Sequence, residues 1–169
     1  MPDGFDGRAI LETLHRHGVD FVVVGGFAAA VHGSPIVTND VDVTPLRSAE
    51  NLARLSTALT ELDAHIRAEG VPAEGVPFAH DGESLGSVET WNLLTRFGAF
   101  DISFTPSGTT GYDDLRREAV EVSLRGTPVL LASLADIVRS KSAANRDKDR
   151  RALPVLREML VRQRRERRP

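Results

Sequence analysis

Cysteine is absent from this chain of 169 residues, and so is any long hydrophobic run. Without cysteine, disulfide bonds, thiolate metal sites and cysteine nucleophiles are excluded, and a reducing compartment fits well. The longest uncharged apolar stretch, residues 21–31, is too short to cross a bilayer. Residues 1–4 lack the basic start and apolar core of a signal peptide. We therefore expect a cytoplasmic protein that has no membrane partner.

Charge is unevenly distributed along the chain. The net charge is −3, yet the segment from Arg139 onward holds twelve Lys or Arg residues and only four Asp or Glu residues. The preceding residues are correspondingly acidic. This polarity favours a C-terminal face that binds a polyanion. A solvated basic helix with an Arg-rich end is the equally plain alternative, and the sequence leaves both open.

Hydrophobic periodicity and turn residues predict alternating helices and strands, with a composition ordinary for one soluble domain. The predicted helices are 8–17, 27–32, one following an N-cap at Ser48, 111–119, 134–145 and 149–163. The predicted strands are 21–24, 37–44, 91–95, 100–104, 120–124 and 128–131, with a weak strand at 76–79 in a loop over 70–86. Pro154 lies inside the last helix, which is therefore expected to kink there or to start later.

Two aspartates one residue apart, Asp40 and Asp42, follow an apolar strand that ends in Gly25-Gly26. Strand side chains alternate between faces, so both carboxylates must point the same way. They repel each other unless a hard cation such as Mg²⁺ lies between them. The glycine turn before a helix exposes backbone N–H groups that can bind phosphate. A metal beside a phosphate indicates phosphoryl or nucleotidyl transfer.

A third carboxylate, Asp101, is expected on the polar face of a neighbouring strand. Two ions held by Asp40, Asp42 and Asp101 would clamp the attacking and leaving oxygens, and Asp101 could itself accept a proton. The ions are expected to be Mg²⁺, with Mn²⁺ as an alternative.

The phosphates of a nucleoside triphosphate donor would lie elsewhere in the same site. We predict that Gly25 and Gly26 bind the β- and γ-phosphates, and that Lys141 or Lys148 neutralises the triphosphate.

Each of these elements also has a structural explanation. An Asp-x-Asp pair on a strand is common by chance, tight turns need glycine, and lysines are most often surface charges. The ordered combination of turn, helix and acidic strand carries the functional prediction.

The run Val24-Gly25-Gly26, His32-Gly33 and Thr38-Asn39-Asp40-Val41-Asp42 resembles the signature of the polymerase-beta-like nucleotidyltransferase superfamily. A second run resembles its abortive-infection branch, whose small members are often linked to toxin–antitoxin pairs. That run is Gly126-Thr127-Pro128-Val129, Ser133-Leu134-Ala135-Asp136-Ile137, Lys141 and Arg146-Asp147-Lys148-Asp149.

The resemblance implies an α+β fold with a mixed β-sheet flanked by helices, Mg²⁺ dependence and transfer of a nucleoside monophosphate to a hydroxyl. It implies a catalytic core over 1–132 and a helical segment with a basic tail over 133–169, packed on that core. Acceptors in the superfamily include RNA ends, proteins and small antibiotics. In toxin members the acceptor can be the tRNA 3′ end, and a cognate antitoxin can be a partner.

Two positions depart from the pattern of these relatives. Ile36 stands where many have arginine, and Arg150-Arg151-Ala152 lacks an acidic residue that often follows the Lys-Asp pair. Neither departure alters a predicted metal ligand. An active nucleotidyltransferase is therefore the leading hypothesis, and a non-catalytic RNA-binding or partner-binding protein on a decayed scaffold is the alternative.

Overall fold

The computed structural model describes residues 4–169 as a seven-stranded mixed sheet flanked by helices. The helices are α1 (Gly7–Arg16), α2 (Gly25–Val31), α3 (Ala49–Glu61), α4 (Gly82–Gly86), α5 (Tyr112–Arg117), α6 (Leu134–Ala144) and α7 (Asp147–Glu166). The strands are β1 (Phe21–Val24), β2 (Asp40–Pro45), β3 (His65–Ile66), β4 (Thr90–Thr95), β5 (Gly98–Ser103), β6 (Val120–Leu124) and β7 (Thr127–Leu131). The predicted α+β fold class is confirmed.

The sheet has the strand order β3-β4-β5-β2-β1-β7-β6. Its centre pairs β2 antiparallel to β1 and parallel to β5, while β1 also lies parallel to β7. Because all four residues of β1 are buried, no face of that strand is left for solvent. This register places Asp42 directly opposite Val24 on one side and Asp101 on the other.

One hydrophobic core joins both ends of the chain. Its buried members from the first helix are Ile10, Leu11 and Leu14, and those from the last two helices include Ile137, Ala152 and Leu156. The helices after residue 133 thus share this core, although a domain boundary at 132 stays a prediction. No helix among residues 4–169 is long and apolar enough to span a membrane.

Several element boundaries differ from those predicted. Strand β2 begins at Asp40 rather than at residue 37, because the preceding residues have no strand partner. Helix α7 begins earlier than predicted and runs through Pro154 without interruption. Pro154 is exposed, so water can hydrate the carbonyl that the proline leaves without a donor. The short elements β3 and α4 fall where only loop or no element was predicted.

Asn51 fixes the position of α3 against the central strands. This fully buried side chain accepts a hydrogen bond from Asp20 N at 2.7 Å and donates to Asp20 O at 2.9 Å and Leu46 O at 2.7 Å. The contacts therefore join the start of β1, the end of β2 and the first turn of α3.

We expect Asn51→Ala to lower the free energy of unfolding by about 2–4 kcal/mol, because it removes three hydrogen bonds between a fully buried side chain and the backbone of Asp20 and Leu46. Urea denaturation followed by circular dichroism measures the change. Ser48→Ala, which removes only the hydroxyl that caps α3, should cost about 1 kcal/mol. Equal losses in the two variants would contradict the anchoring role of Asn51.

Candidate active site

Three aspartates converge at the centre of the sheet. Asp40 and Asp42 lie on one face of β2, while Val41 and Val43 are fully buried on the other. Asp101 lies beside them on β5, as the register requires. One carboxylate oxygen from each aspartate lies within 4.8 Å of the others, and all three side chains are partly buried. Among residues 4–169 this is the only group of at least three acidic or histidine side chains with that geometry.

The three charges repel one another strongly. Burial raises the pKa of Asp42 to about 7, and the negative charges of Asp40 and Asp101 add to the effect. Burial also raises the pKa of Asp101, although Arg67 opposes the rise by donating from Nη2 to Asp101 Oδ1 at 2.8 Å. The positive charge near the three carboxylates is therefore too small to offset the effects of burial and mutual repulsion.

The donor atoms fit a hard divalent cation. All three are carboxylate oxygens, which Mg²⁺ and Mn²⁺ prefer, and no cysteine or histidine contributes. A bound cation would relieve the repulsion that adds to the effect of burial on the pKa of Asp42. Asp40, Asp42 and Asp101 are thus the residues that could hold one.

Gly25 allows the turn after β1 to approach Asp42. Its φ angle is +68°, and a Cβ atom placed there would lie 2.6 Å from Asp42 Oδ2. The neighbouring Gly26 faces Thr38, whose hydroxyl donates to Asp40 Oδ1 at 2.9 Å. The glycine pair therefore sets the space around both β2 carboxylates.

All seven predicted site residues line one cavity of about 970 Å³. They are Gly25, Gly26, Asp40, Asp42, Asp101, Lys141 and Lys148. Lys141 Nζ also lies 3.4 Å from Asp149 Oδ1, whereas Lys148 is exposed. The positive charges of Lys148 and Lys141 lower the pKa of Asp42, although burial and the other aspartates outweigh them. The structure thus brings the residues together, while their individual roles stay predictions.

Sequence reasoning missed two arginines that line the same cavity, Arg67 and Arg146. Arg67 follows the two-residue strand β3, and no local pattern indicates that it reaches Asp101. Arg146 opens the run Arg146-Asp147-Lys148-Asp149, and the resemblance of that run to relatives was the available signal. Ile36, which replaces the arginine of many relatives, also lines the cavity. Two guanidinium groups are therefore present there despite that replacement.

The chain matches no protein-family model and no curated protein sequence. Its structure is similar to that of the lincosamide antibiotic adenylyltransferase LnuA bound to lincomycin, with a TM-score of 0.60 at 13% identity over 93% of this chain and 99% of that one. It is similar to ANT(2″)-Ia in complex with adenylyl-2″-tobramycin, with a TM-score of 0.56 at 14% identity over 90% and 86%. A candidate nucleotidyltransferase of Thermotoga maritima gives a TM-score of 0.50 at 18% identity over 92% and 90%. These likenesses show that the chain has a nucleotidyltransferase fold.

We expect Gly25→Ala to weaken Mn²⁺ binding at least tenfold, since the added methyl group would displace the Asp42 carboxylate. Titration calorimetry with Mn²⁺ measures the affinity. The matched control is Gly33→Ala, where φ is +110° and no atom lies within 4 Å of the added methyl group. That control should lose stability through backbone strain and keep its Mn²⁺ affinity. Equal Mn²⁺ affinities in the two variants would contradict the steric argument.

The raised pKa of Asp42 predicts a pH-dependent stability in the metal-free protein. The folded state holds this proton more tightly than the unfolded state, so stability falls as the pH rises from 3.8 to about 7. At pH 8 we expect Asp42→Asn to unfold at a higher temperature than the wild type. The corresponding gain in the free energy of unfolding is up to about 4 kcal/mol. Near pH 4 the two should be nearly equal.

Thermal denaturation between pH 4 and pH 8 tests this, with and without Mn²⁺. Mn²⁺ should raise the melting temperature of the wild type at pH 8 and leave that of Asp42→Asn unchanged. A wild-type protein that gains stability between pH 4 and pH 7 relative to Asp42→Asn would show that the sign is wrong.

Proposed function

We propose that this protein is a metal-dependent enzyme that transfers a nucleoside monophosphate from a nucleoside triphosphate to a hydroxyl acceptor. The supporting observation is that three mutually repelling carboxylates line one cavity with lysines and arginines. The cluster suits cations, and the basic residues suit phosphates. The nucleotidyltransferase fold agrees with both.

The residues that line the cavity would have separate roles in such a transfer. The acceptor hydroxyl loses its proton, its oxygen bonds to the α-phosphorus, and pyrophosphate leaves. Asp40, Asp42 and Asp101 would hold two Mg²⁺ or Mn²⁺ ions, which would supply charge neutralisation at the reacting phosphate. Asp101 is suited to accept the proton, because burial raises its pKa.

Cations from α6 and α7 would stabilise the triphosphate and the departing pyrophosphate. Lys141 and Lys148 line the cavity and carry the positive charge for this task. The backbone N–H groups of Gly25 and Gly26, which line the same cavity, would also bind phosphate.

An RNA acceptor is supported by the surface of α7. Arg150, Arg157 and Arg164 are spaced by seven residues, so they share one exposed line of the helix at intervals of about 10.5 Å. This basic stripe begins one turn after Arg146, which lines the cavity. A stripe of this kind suits the phosphates of a polynucleotide whose end enters the site. By the resemblance noted above, the acceptor would be a tRNA 3′ end and the protein a toxin with a cognate antitoxin.

A small-molecule acceptor has separate support. Two of the similar structures contain an antibiotic or its adenylylated form. The first contains lincomycin, and the second contains adenylyl-2″-tobramycin. The cavity of about 970 Å³ is large enough for a nucleotide together with such a molecule. The labelled product distinguishes this acceptor from RNA or protein.

We expect the wild type to label an acceptor when it is incubated with α-labelled nucleoside triphosphates, Mg²⁺ and a cell lysate. The amount of incorporated label should fall at least 100-fold in Asp42→Asn, because the carboxylate charge is gone. Asp147→Asn is the matched control; its side chain is 77% exposed, does not line the cavity and should keep full labelling. A wild type that labels nothing and binds no Mg²⁺-nucleotide in calorimetry would favour a non-catalytic binding protein.

The chemical nature of the labelled species identifies the acceptor. If it is RNA, the double variant Arg157→Gln, Arg164→Gln should bind tRNA more weakly and with a smaller salt dependence than the wild type in fluorescence anisotropy. The control, Arg96→Gln with Arg125→Gln, removes two exposed arginines that lie in the β4–β5 and β6–β7 turns rather than on α7, and it should bind normally. Labelling of a small molecule only would contradict the RNA proposal and leave nucleotidyl transfer intact.

A further inference from the structure

Asp149 carries a carboxylate that the proposed reaction does not use. Its side chain is fully buried, and among residues 4–169 only Asp114 is another buried acidic residue. Taking an isolated carboxylate out of water costs several kcal/mol, which its partners must offset. Any effect of Asp149 on the cavity must therefore be exerted through these partners.

Those partners belong to two different helices. Arg146, at the start of α7, donates from Nε to Asp149 Oδ2 at 2.7 Å and from Nη2 to Oδ1 at 3.3 Å. The backbone N–H of Arg146 donates to Oδ2 at 3.1 Å. From α6, Lys141 Nζ lies 3.4 Å from Oδ1. One carboxylate thus spans the turn between the helices and holds one cation from each side.

These contacts determine the charge state of Asp149. Burial raises the pKa of Asp149, but the hydrogen bonds and the charge of Arg146 outweigh it, and the pKa lies below its ordinary value. The carboxylate is therefore ionised at neutral pH. Lys141 and Arg146 also line the cavity that contains Asp42, whose charge contributes to the raised pKa of Arg146. Each cation is thus attracted by Asp149 on one side and by the aspartate cluster on the other.

We propose that Asp149 is a positioning residue that holds Lys141 and Arg146 on the cavity wall, where they bind the triphosphate of the nucleotide. Asp149 itself touches neither the nucleotide nor the acceptor. Without its charge, the two cations would be free to turn towards the aspartate cluster or towards solvent. This inference rests on the proposed function, since it assigns a triphosphate to that wall.

Asp114 provides a matched control because it makes the same kind of contact elsewhere. It is also buried and accepts hydrogen bonds from two arginines, Arg117 at 2.8 Å and Arg139 at 3.0 Å. Neither arginine lines the cavity. A purely structural buried carboxylate and a positioning one can therefore be compared within one chain.

The test measures the binding of inorganic tripolyphosphate with Mg²⁺ by calorimetry, which needs no knowledge of the base or the acceptor. Asp149→Asn keeps the size of the side chain and an oxygen for the backbone N–H of Arg146, and it removes the charge together with one acceptor oxygen. We expect it to weaken tripolyphosphate binding at least tenfold. Asp114→Asn should stay within twofold of the wild type, even if both variants lose thermal stability.

A double-mutant comparison with Lys141→Gln tests the route of the effect. If Asp149 acts through Lys141, the loss in the combined variant is smaller than the product of the two single losses. Independent losses would overturn the proposal. Mn²⁺ binding in the absence of phosphate should stay within twofold in Asp149→Asn, since the aspartate cluster is untouched; a parallel loss of Mn²⁺ would also overturn it.

The remaining outcomes are decisive as well. If the wild type binds tripolyphosphate and Asp149→Asn binds it with the same affinity, this inference is overturned and the proposed function still stands. Failure of the wild type to bind tripolyphosphate would overturn both. If Asp149→Asn does not fold, Arg146→Gln replaces it, because that side chain is 60% exposed. Its tripolyphosphate affinity should fall at least threefold, and an unchanged affinity would overturn the proposal.

Discussion

Repulsion among three carboxylates on neighbouring strands is the constraint around which the candidate site is built. Hydrogen bonding between β2 and β5 holds Asp42 opposite Asp101, so these charges cannot separate without breaking the centre of the sheet. The surrounding residues moderate this repulsion. Gly25 leaves room for the Asp42 carboxylate, Thr38 donates to Asp40, and Arg67 pairs with Asp101. The cluster is thus prepared for cations by an arrangement that is unfavourable without them.

A second charge network lies where α6 meets α7, and its two cations line the same cavity. Here a single buried carboxylate, that of Asp149, is shared by two cations, and the excess is positive on the cavity side. A metal complex of a triphosphate has both kinds of charge, with cations on one side and phosphate oxygens on the other. In the proposed function, the aspartate cluster would bind the cations of such a complex, and Lys141 and Arg146 would bind its phosphates.

The features that depend on local pattern could be predicted from the sequence. The alternation of Asp40 and Asp42 with valines placed both carboxylates on one face, and the hairpin containing Asp101 had the right polar face. The residues that depend on long-range pairing could not be predicted. Arg67 reaches Asp101 only because a two-residue strand adds to the sheet edge, and burial of Asp149 depends on how α6 and α7 pack. The abortive-infection branch and the acceptor also stay predictions, since the fold is shared by proteins with different acceptors.

Helix α7 is anchored more firmly at its start than at its end. Its first half buries Asp149, Ala152, Leu153 and Leu156, whereas Met159 and Leu160 pack against the core only partly buried, and no later residue belongs to the core. The free energy of local opening should therefore fall along the helix, with slow amide hydrogen exchange near the cavity and fast exchange towards Glu166. Such a helix can reorganise at its outer end while its inner end keeps Lys148 and Arg146 in place. A partner that binds the outer half would order it at an entropic cost, which permits specific and readily reversible association.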